Sequence, residues 1–258
     1  MSGGDAFLAT VRPPTADAKL EINPMCLGNN PSRRQFVQNV GFAFGAASIG
    51  AFSSLRAAEP APLKPEDVLA KLVAGNERFS GGKTKITPRT PADFLRDDKG
   101  QAPPAIVLAC ADSRVSPELV FDQPIGGLFV LRVAGNIVGS SPAMMGSIEF
   151  AVAELGASLI VVMGHSRCGA CAAAITHIEN NDALPGSIEG LVDYIRPVVR
   201  EVKGKPGDKL VNVTKANATY TANSLAEMGP IVPPRVKSGD VKIVSAYYEL
   251  SNGKVEWL

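Results

Sequence analysis

The sequence predicts an α/β fold: a mostly parallel central β-sheet flanked by helices, with an N-terminal helical arm and a C-terminal edge strand or hairpin. Short segments that are apolar throughout alternate with helical patterns, which is typical of a parallel sheet covered on both faces. The chain then closes with VKIVSAYYEL, the turn Asn252-Gly253 and KVEWL. An Asn-Gly turn between two such segments favours a closing hairpin.

The individual elements follow from local signals. Pro65, Glu66 and Asp67 open the helical arm, because proline and acidic residues favour the first turn of a helix. Ser141 and Pro142 mark the start of another helix in the same way. The pattern predicts strands at 105–109, 127–135, 158–164 and 241–250, and further helices at 141–156, 168–179, 189–202 and 214–229.

The composition is that of a globular protein, and it argues against a nucleic-acid-binding protein and against a small disulfide-stapled domain. The chain has 258 residues, of which 45% are hydrophobic and 20% are charged, and its formal net charge is +1. These values allow a sizeable core. There is no long basic block, so nucleic acid is not an expected partner. Four cysteines in a chain of this length are not a disulfide framework.

Residues 1–58 are predicted to be a leader with a twin-arginine-type signal peptide. Arg33 and Arg34 precede an uncharged run from 42 to 52, which is too short to span a membrane and has the length of a signal-peptide apolar region. Cleavage is expected near Ala57 or Ala58, and Met25 is a second possible start. An internal amphipathic helix is the alternative. The prediction is a periplasmic or secreted protein with no stable membrane anchor after cleavage, and 59–258 as a single catalytic domain.

Two thiols and an imidazole follow the ends of predicted strands. Cys110 ends the first strand, and His165 and Cys168 end the third. Ligands of open parallel sheets bind beyond the carboxyl ends of the strands, so these side chains should meet at one edge. Cys₂His with an open fourth position is a catalytic Zn²⁺ pattern.

Several alternatives stay open for the same residues. Cys110 could be a small core residue, because buried cysteine is common, and His165 could simply be a satisfied loop histidine. Cys168 and Cys171 could form a CxxC thiol–disulfide redox pair at the start of a helix. A structural zinc site is a further possibility, although such sites usually have four protein ligands.

Asp112 and Arg114 stand directly after the first of these cysteines. On an extended segment, residues two apart point the same way, so the guanidinium can hold the carboxylate by paired hydrogen bonds. A surface salt bridge of little energetic value is the alternative.

In combination, five motifs resemble the β-class carbonic anhydrases: CADSR (110–114), Asp122-Gln123, RVAGN (132–136), SIEFAV (147–152) and GHSRCGA (164–170). GNERF (75–79) and the C-terminal segment also resemble that family, so the likeness covers about 65–258. It implies one Zn²⁺ per chain and reversible hydration of CO₂ to bicarbonate and a proton, by attack of zinc-bound hydroxide. It also implies a homodimer or higher even oligomer. A zinc hydrolase of CS₂ or COS on the same scaffold is the alternative, because fold alone does not set the substrate.

The resemblance also implies a role for each site residue. Cys110, His165 and Cys168 match the zinc ligands. Asp112 and Arg114 match a catalytic pair in which the arginine keeps the aspartate off the metal.

Two further positions match substrate-binding residues of the family. Gln123 matches a glutamine that hydrogen-bonds the substrate, and Gly135 matches a glycine close to the site. A turn residue before Pro124 and a tight turn are the respective alternatives.

Overall fold

A computed structural model of the chain describes residues 63–85, 100–139 and 141–258. The predicted leader, its cleavage point and residues 86–99 lie outside the described residues. Within the described part of the chain, no helix is both long and apolar enough to cross a membrane.

The centre of the fold is a five-stranded sheet with the strand order β2-β1-β3-β4-β5. The first four strands in that order run parallel to one another, and β5 pairs antiparallel with β4. This confirms the predicted mostly parallel sheet with a C-terminal edge strand. The strands are β1 (Ala105–Ala109), β2 (Leu128–Arg132), β3 (Leu159–His165), β4 (Lys242–Tyr248) and β5 (Val255–Trp257).

Helices cover both faces of the sheet. In chain order they are α1 (Pro65–Ser80), α2 (Pro117–Val120), α3 (Pro142–Ala153), α4 (Gly169–Asn180), α5 (Ile188–Glu201), α6 (Lys209–Glu227) and α7 (Val232–Ser238). The sequence pattern had not indicated α2 or α7. α6 begins at Lys209 rather than at the predicted 214, because the Asp208 carboxylate accepts a hydrogen bond from the backbone N–H of Val211 and caps the helix.

The strand β2 is shorter than predicted, and the difference shapes the site. It ends at Arg132, and residues Ala134–Asn136 form a 3₁₀ turn. Gly135 and Asn136 have φ values of 75° and 46°. A β-strand requires negative φ, so the strand cannot continue through these two residues.

The core lies on both faces of β1 and β3, whose residues are all buried. One face packs against α1 and α2, and the other against α3, α6 and α7. A third apolar cluster lies beyond the carboxyl ends of the strands and contains Cys110, Cys168 and Cys171 together with Ile195 of α5 and Val213 of α6. The thiols are therefore surrounded by apolar side chains.

A buried amide helps to fasten the helical arm α1 to the body. Asn76 donates from Nδ2 to the carbonyl oxygens of Val120, at 3.1 Å, and Gly253, at 2.8 Å. Its Oδ1 accepts from the N–H of Val255 at 2.8 Å. The amide thus joins α1 to α2 and to the closing hairpin.

Candidate metal centre

Parallel strand ends bring two thiols and one imidazole together. β1 and β3 pair in register with Ala109 opposite Met163, so Cys110 leaves β1 beside the end of β3, where His165 stands. Cys168 is the N-cap residue of α4. One ligand atom from each of these three buried residues lies within 4.8 Å of the other two, and the two Sγ atoms are 4.0 Å apart. We call them the Cys–His–Cys cluster.

The imidazole of His165 is oriented with one nitrogen free. Its Nδ1 lies 3.0 Å from the carbonyl oxygen of Ser166. A carbonyl only accepts, so the proton belongs on Nδ1, and Nε2 keeps a lone pair. Nε2 is buried and has no hydrogen-bond partner among the described residues. A metal-ligating histidine typically shows this arrangement, with the outer nitrogen donating to a carbonyl.

The spacing of the cluster suits a tetrahedral zinc ion. With Zn–S bonds of ~2.3 Å, two thiolates in tetrahedral positions stand ~3.8 Å apart. The observed separation of 4.0 Å is close to that value. Three protein ligands leave one coordination position for solvent or substrate, which distinguishes catalytic from structural zinc sites.

Without a cation, the thiols favour their protonated form. The pKa of Cys110 is raised to about 12 because its sulfur shares a hydrogen bond with Cys168 and because it is buried. The hydrogen bond with Cys110 lowers the pKa of Cys168, but the hydrogen bond with Cys171 and burial raise it to about 11. A bound metal ion would displace both protons, because cysteine ligates a metal as the thiolate.

Asp112 and Arg114 lie at the rim of the cluster and form a bidentate pair. Arg114 donates from Nε to Oδ1 at 2.9 Å and from Nη2 to Oδ2 at 2.8 Å. The segment is a turn rather than the extended chain that was predicted, since the N–H of Arg114 also bonds to Oδ1 at 3.0 Å. The Arg114 guanidinium holds the pKa of Asp112 well below its usual range. The carboxylate is therefore ionised, with Oδ2 3.9 Å from Nε2 of His165.

Arg132 supports this loop and was not singled out as a site residue by the sequence. From the end of β2 it donates through Nε to the carbonyl oxygen of Cys110 at 3.1 Å, and through Nη2 to that of Asp112. Its position at the carboxyl end of the neighbouring strand is the signal that could have identified it, because such positions face the same edge of the sheet.

Gly135 lies directly behind the cluster. Its N–H donates to the sulfur of Cys110 at 3.4 Å. A Cβ at this position would come within 3.1 Å of Cδ1 of Ile195 and 3.3 Å of Cβ of Ala170. Together with the positive φ, this close packing explains why glycine stands here.

Comparison with known proteins places this geometry in a family. A family model described as carbonic anhydrase matches residues 105–255, which is more than half of the chain. Carbonic anhydrase 2 of Mycobacterium tuberculosis is 35% identical over 184 residues, covering 71% of this chain and 87% of that protein. The chain belongs to the β-carbonic anhydrase family. By class it is therefore an enzyme, a lyase.

Solved structures show the same fold. The β-carbonic anhydrase CcaA is 24% identical with a TM-score of 0.59, and the comparison covers 73% of this chain and 94% of that one. One of two tetrameric β-carbonic anhydrases from Sordaria macrospora is 22% identical with a TM-score of 0.60, covering 74% and 97%. The match to the family model spans the whole Cys–His–Cys cluster and the Asp112–Arg114 pair.

In this β-carbonic anhydrase, Gln123 does not bond to the Cys–His–Cys cluster within one chain. Its side chain is buried, and its Nε2 donates to the carbonyl oxygens of Phe121, at 2.7 Å, and Asp122, at 3.3 Å. Both bonds fit the turn that was the alternative to substrate binding, so its predicted role remains a proposal.

Cys171 lies beside the cluster in the first turn of α4 and is fully buried. A hydrogen bond with Cys168 lowers its pKa, and burial opposes that shift. The cysteines at 110, 168 and 171 are all free thiols. Cys168 therefore has sulfur neighbours on two sides, of which Cys110 belongs to the Cys–His–Cys cluster.

Proposed function

We propose that this chain catalyses the reversible hydration of CO₂ to bicarbonate and a proton at a zinc ion held by Cys110, His165 and Cys168. One observation carries the proposal: three ligand atoms within 4.8 Å of one another, in a chain of the β-carbonic anhydrase family. When bound, Zn²⁺ lowers the pKa of water and so supplies a nucleophile near neutral pH.

The three residues of the Cys–His–Cys cluster would leave one coordination position of the ion open to water and substrate. All three residues are buried, and apolar side chains surround the thiols. Such surroundings strengthen electrostatic interactions at the site because water is excluded from it. CO₂ is a small apolar molecule, and an apolar wall suits its approach.

The Asp112 carboxylate would orient the reacting water. An ionised carboxylate only accepts hydrogen bonds, so it fixes the direction of an O–H group beside it. Arg114 occupies both carboxylate oxygens and thereby keeps the carboxylate from becoming a fourth ligand. The side chain of Arg114 is 49% exposed, so the pair lies where the site meets solvent.

Gln123 and Gly135 are proposed to contribute to substrate binding, as the resemblance implies. For Gly135 the support is its position, since its N–H contacts the sulfur of Cys110. For Gln123 the support is the family motif alone. We expect Gln123→Ala to raise the KM for CO₂ more than it lowers kcat.

We propose a homodimer or a higher even oligomer. The Sordaria macrospora relatives are tetrameric. In addition, β2 is an edge strand that has no partner on its outer side among the described residues. Such edges favour pairing with another chain. Light scattering coupled to size-exclusion chromatography tests this, and a monomer at micromolar concentration would contradict it.

We propose that the chain is exported through its twin-arginine-type leader. The support is the sequence pattern of Arg33 and Arg34 followed by an uncharged run. Expression of the full chain, cell fractionation and N-terminal sequencing test the proposal. We expect a mature protein that begins near residue 58, and retention inside the cell when both arginines are changed to lysine. Equal export of that variant would contradict it.

The central experiment combines metal content with CO₂ hydration by stopped flow on the purified protein. We expect about one zinc per chain, an active wild type, and loss of both zinc and activity in Cys110→Ser. Cys171→Ser is the matched control and should keep both. A metal-free wild type that is folded would overturn the proposal, and so would a zinc-loaded wild type without hydration activity.

A further inference from the structure

Asn217 reaches across the fold to the turn behind Cys110. It lies on α6, its side chain is fully buried, and its Nδ2 donates to the carbonyl oxygen of Gly135 at 2.7 Å across 82 residues of sequence. The N–H of Gly135 in turn donates to the sulfur of Cys110 at 3.4 Å. Two hydrogen bonds thus join α6 to the Cys–His–Cys cluster, although α6 supplies no member of that cluster.

The turn between the two bonds has a conformation that needs support. Gly135 and Asn136 are consecutive residues with positive φ, at 75° and 46°. Such backbone persists where the surrounding structure holds it in place. Ile195 and Ala170 pack close to Gly135 on one side, and Asn217 bonds to its carbonyl. Packing and the hydrogen bond together oppose any rotation that would take the amide away from the sulfur.

The orientation of the Asn217 amide follows from the chemistry of its partner. A carbonyl oxygen cannot donate, so only the NH₂ end of the amide can bond to Gly135. A variant that keeps the size of the side chain but lacks this donor would leave a buried carbonyl unpaired. An unpaired buried carbonyl lowers the free energy of unfolding, and without the hydrogen bond the turn is free to rotate.

An N–H directed at a thiolate withdraws electron density from the sulfur, as second-shell hydrogen bonds to metal ligands do. We infer that Asn217 is a positioning residue: by holding the carbonyl of Gly135, it keeps the Gly135 N–H on the Cys110 sulfur and so sets how strongly that sulfur donates to the bound zinc. The inference rests on the proposed function, because Cys110 must be a zinc ligand.

The test is cobalt substitution in Asn217→Leu, whose side chain has the same number and branching of heavy atoms but no hydrogen-bond donor. Thr221→Val is the matched control, since Thr221 is buried one turn further along α6. We expect the thiolate-to-cobalt charge-transfer band to move to lower energy in Asn217→Leu and to keep its wild-type position in Thr221→Val. Chelator competition should show zinc bound about 10- to 100-fold more weakly in Asn217→Leu, because the ionised Cys110 sulfur loses the hydrogen bond that stabilises it.

A purely structural role for Asn217 gives a different result. The folded Asn217→Leu protein would then show a lower urea midpoint with an unshifted band, and this outcome overturns the inference. If Cys110 and Cys168 do not bind the metal at all, the proposed function itself fails. In that case the wild type would lack a thiolate-to-cobalt band.

A second measurement covers the case in which Asn217→Leu does not fold. The wild-type protein loaded with a spin-active cadmium isotope should show scalar coupling between the Gly135 amide proton and the metal, transmitted through the Cys110 sulfur. Its absence overturns the inference. The smaller substitution Asn217→Ser should weaken that coupling. Full coupling in this variant would show that Asn217 does not hold the Gly135 N–H on the Cys110 sulfur.

Discussion

The sulfur atoms of Cys110 and Cys168 lie 4.0 Å apart although 58 residues separate them in the sequence. Both are buried, and each has a pKa raised above the ordinary range of a thiol. Two neutral thiols at this distance gain little from each other, whereas a shared divalent cation would convert both into strong ligands.

Zinc binding should therefore release about two protons per ion at pH 7.5. The pKa values of about 12 for Cys110 and about 11 for Cys168 mean that both thiols are protonated in the metal-free protein. The metal displaces both protons, so its affinity falls as the pH falls, by ~100-fold per pH unit near neutrality. Calorimetry in buffers of different ionisation enthalpy measures the number of protons.

Two variants sharpen this measurement. Cys171→Ser should still release about two protons, because Cys171 lies outside the Cys–His–Cys cluster. Cys110→Ser, which should be purified without zinc, has one of the two thiols left, so zinc added in excess should displace about one proton. Release close to zero in the wild type would show that the thiols are already ionised, contrary to this account.

Replacing Arg114 with alanine should lower the rate of CO₂ hydration by about 10- to 100-fold while zinc stays near one per chain. The reason is that Arg114 makes the bidentate contact that fixes the Asp112 carboxylate and is itself no metal ligand. Stopped-flow kinetics and metal analysis of the same sample provide the test.

Arg114→Lys should recover only part of the activity, because an ammonium group cannot reproduce the two parallel hydrogen bonds of a guanidinium. Arg196→Ala is the control for loss of an arginine, since Arg196 pairs with Asp193 on the exposed surface of α5. Loss of zinc from Arg114→Ala would show that the arginine holds the metal site itself together.

The sequence was enough to predict the Cys–His–Cys cluster because strand ends are easy to locate. Cys110 directly follows an uninterrupted apolar strand, and His165 ends another. In a parallel sheet that information alone brings the two residues to one edge. Asp112 and Arg114 followed from their separation of two residues, although the segment between them proved to be a turn.

The contacts that support the site could not be predicted in the same way. Asn217 meets Gly135 only because α6 packs over the 3₁₀ turn, and 82 residues of sequence lie between them. The end of β2 at Arg132 depends on two consecutive positive φ values, which apolar periodicity does not reveal. Such contacts are set by tertiary packing, which local pattern does not encode.

Gly135→Ala should destabilise the protein by about 1–3 kcal/mol. The new Cβ would lie 3.1 Å from Cδ1 of Ile195, and alanine disfavours a φ of 75°. Urea unfolding of the zinc-loaded protein measures the change.

Gly146→Ala is the matched control for this substitution. A Cβ on Gly146 meets nothing within 4 Å, and the residue lies inside α3. Alanine favours a helix over glycine, so the control should gain about 0.5–1 kcal/mol. Equal effects of the two substitutions would contradict the steric argument.

Asp122→Asn should destabilise the protein at neutral pH and much less in acid. The carboxylate is 5% exposed and accepts hydrogen bonds from Nε of Arg78 at 2.5 Å and from the N–H of Lys85 at 3.1 Å. Burial acts to raise the pKa of Asp122, but the bonds from Arg78 and Lys85 outweigh it, so the pKa is lowered. A lowered folded-state pKa means stability that is present above the unfolded value of about 3.9 and is lost as the pH falls through the folded value.

The free energy of unfolding of wild type minus that of Asp122→Asn should therefore be about 1.5–3 kcal/mol at pH 7. It should begin to decline below about pH 4, where the unfolded chain takes up the proton, and approach zero only below the lower pKa of the folded state. Urea titrations at several pH values measure it, and taking the difference cancels the acid-induced loss of zinc common to both proteins.

Asp193→Asn is the control: Asp193 is 54% exposed beside Arg196, so its effect should stay within about 1 kcal/mol at every pH. A difference for Asp122→Asn that stays constant from pH 7 to pH 3 would mean that the side chain contributes through packing, not through its charge.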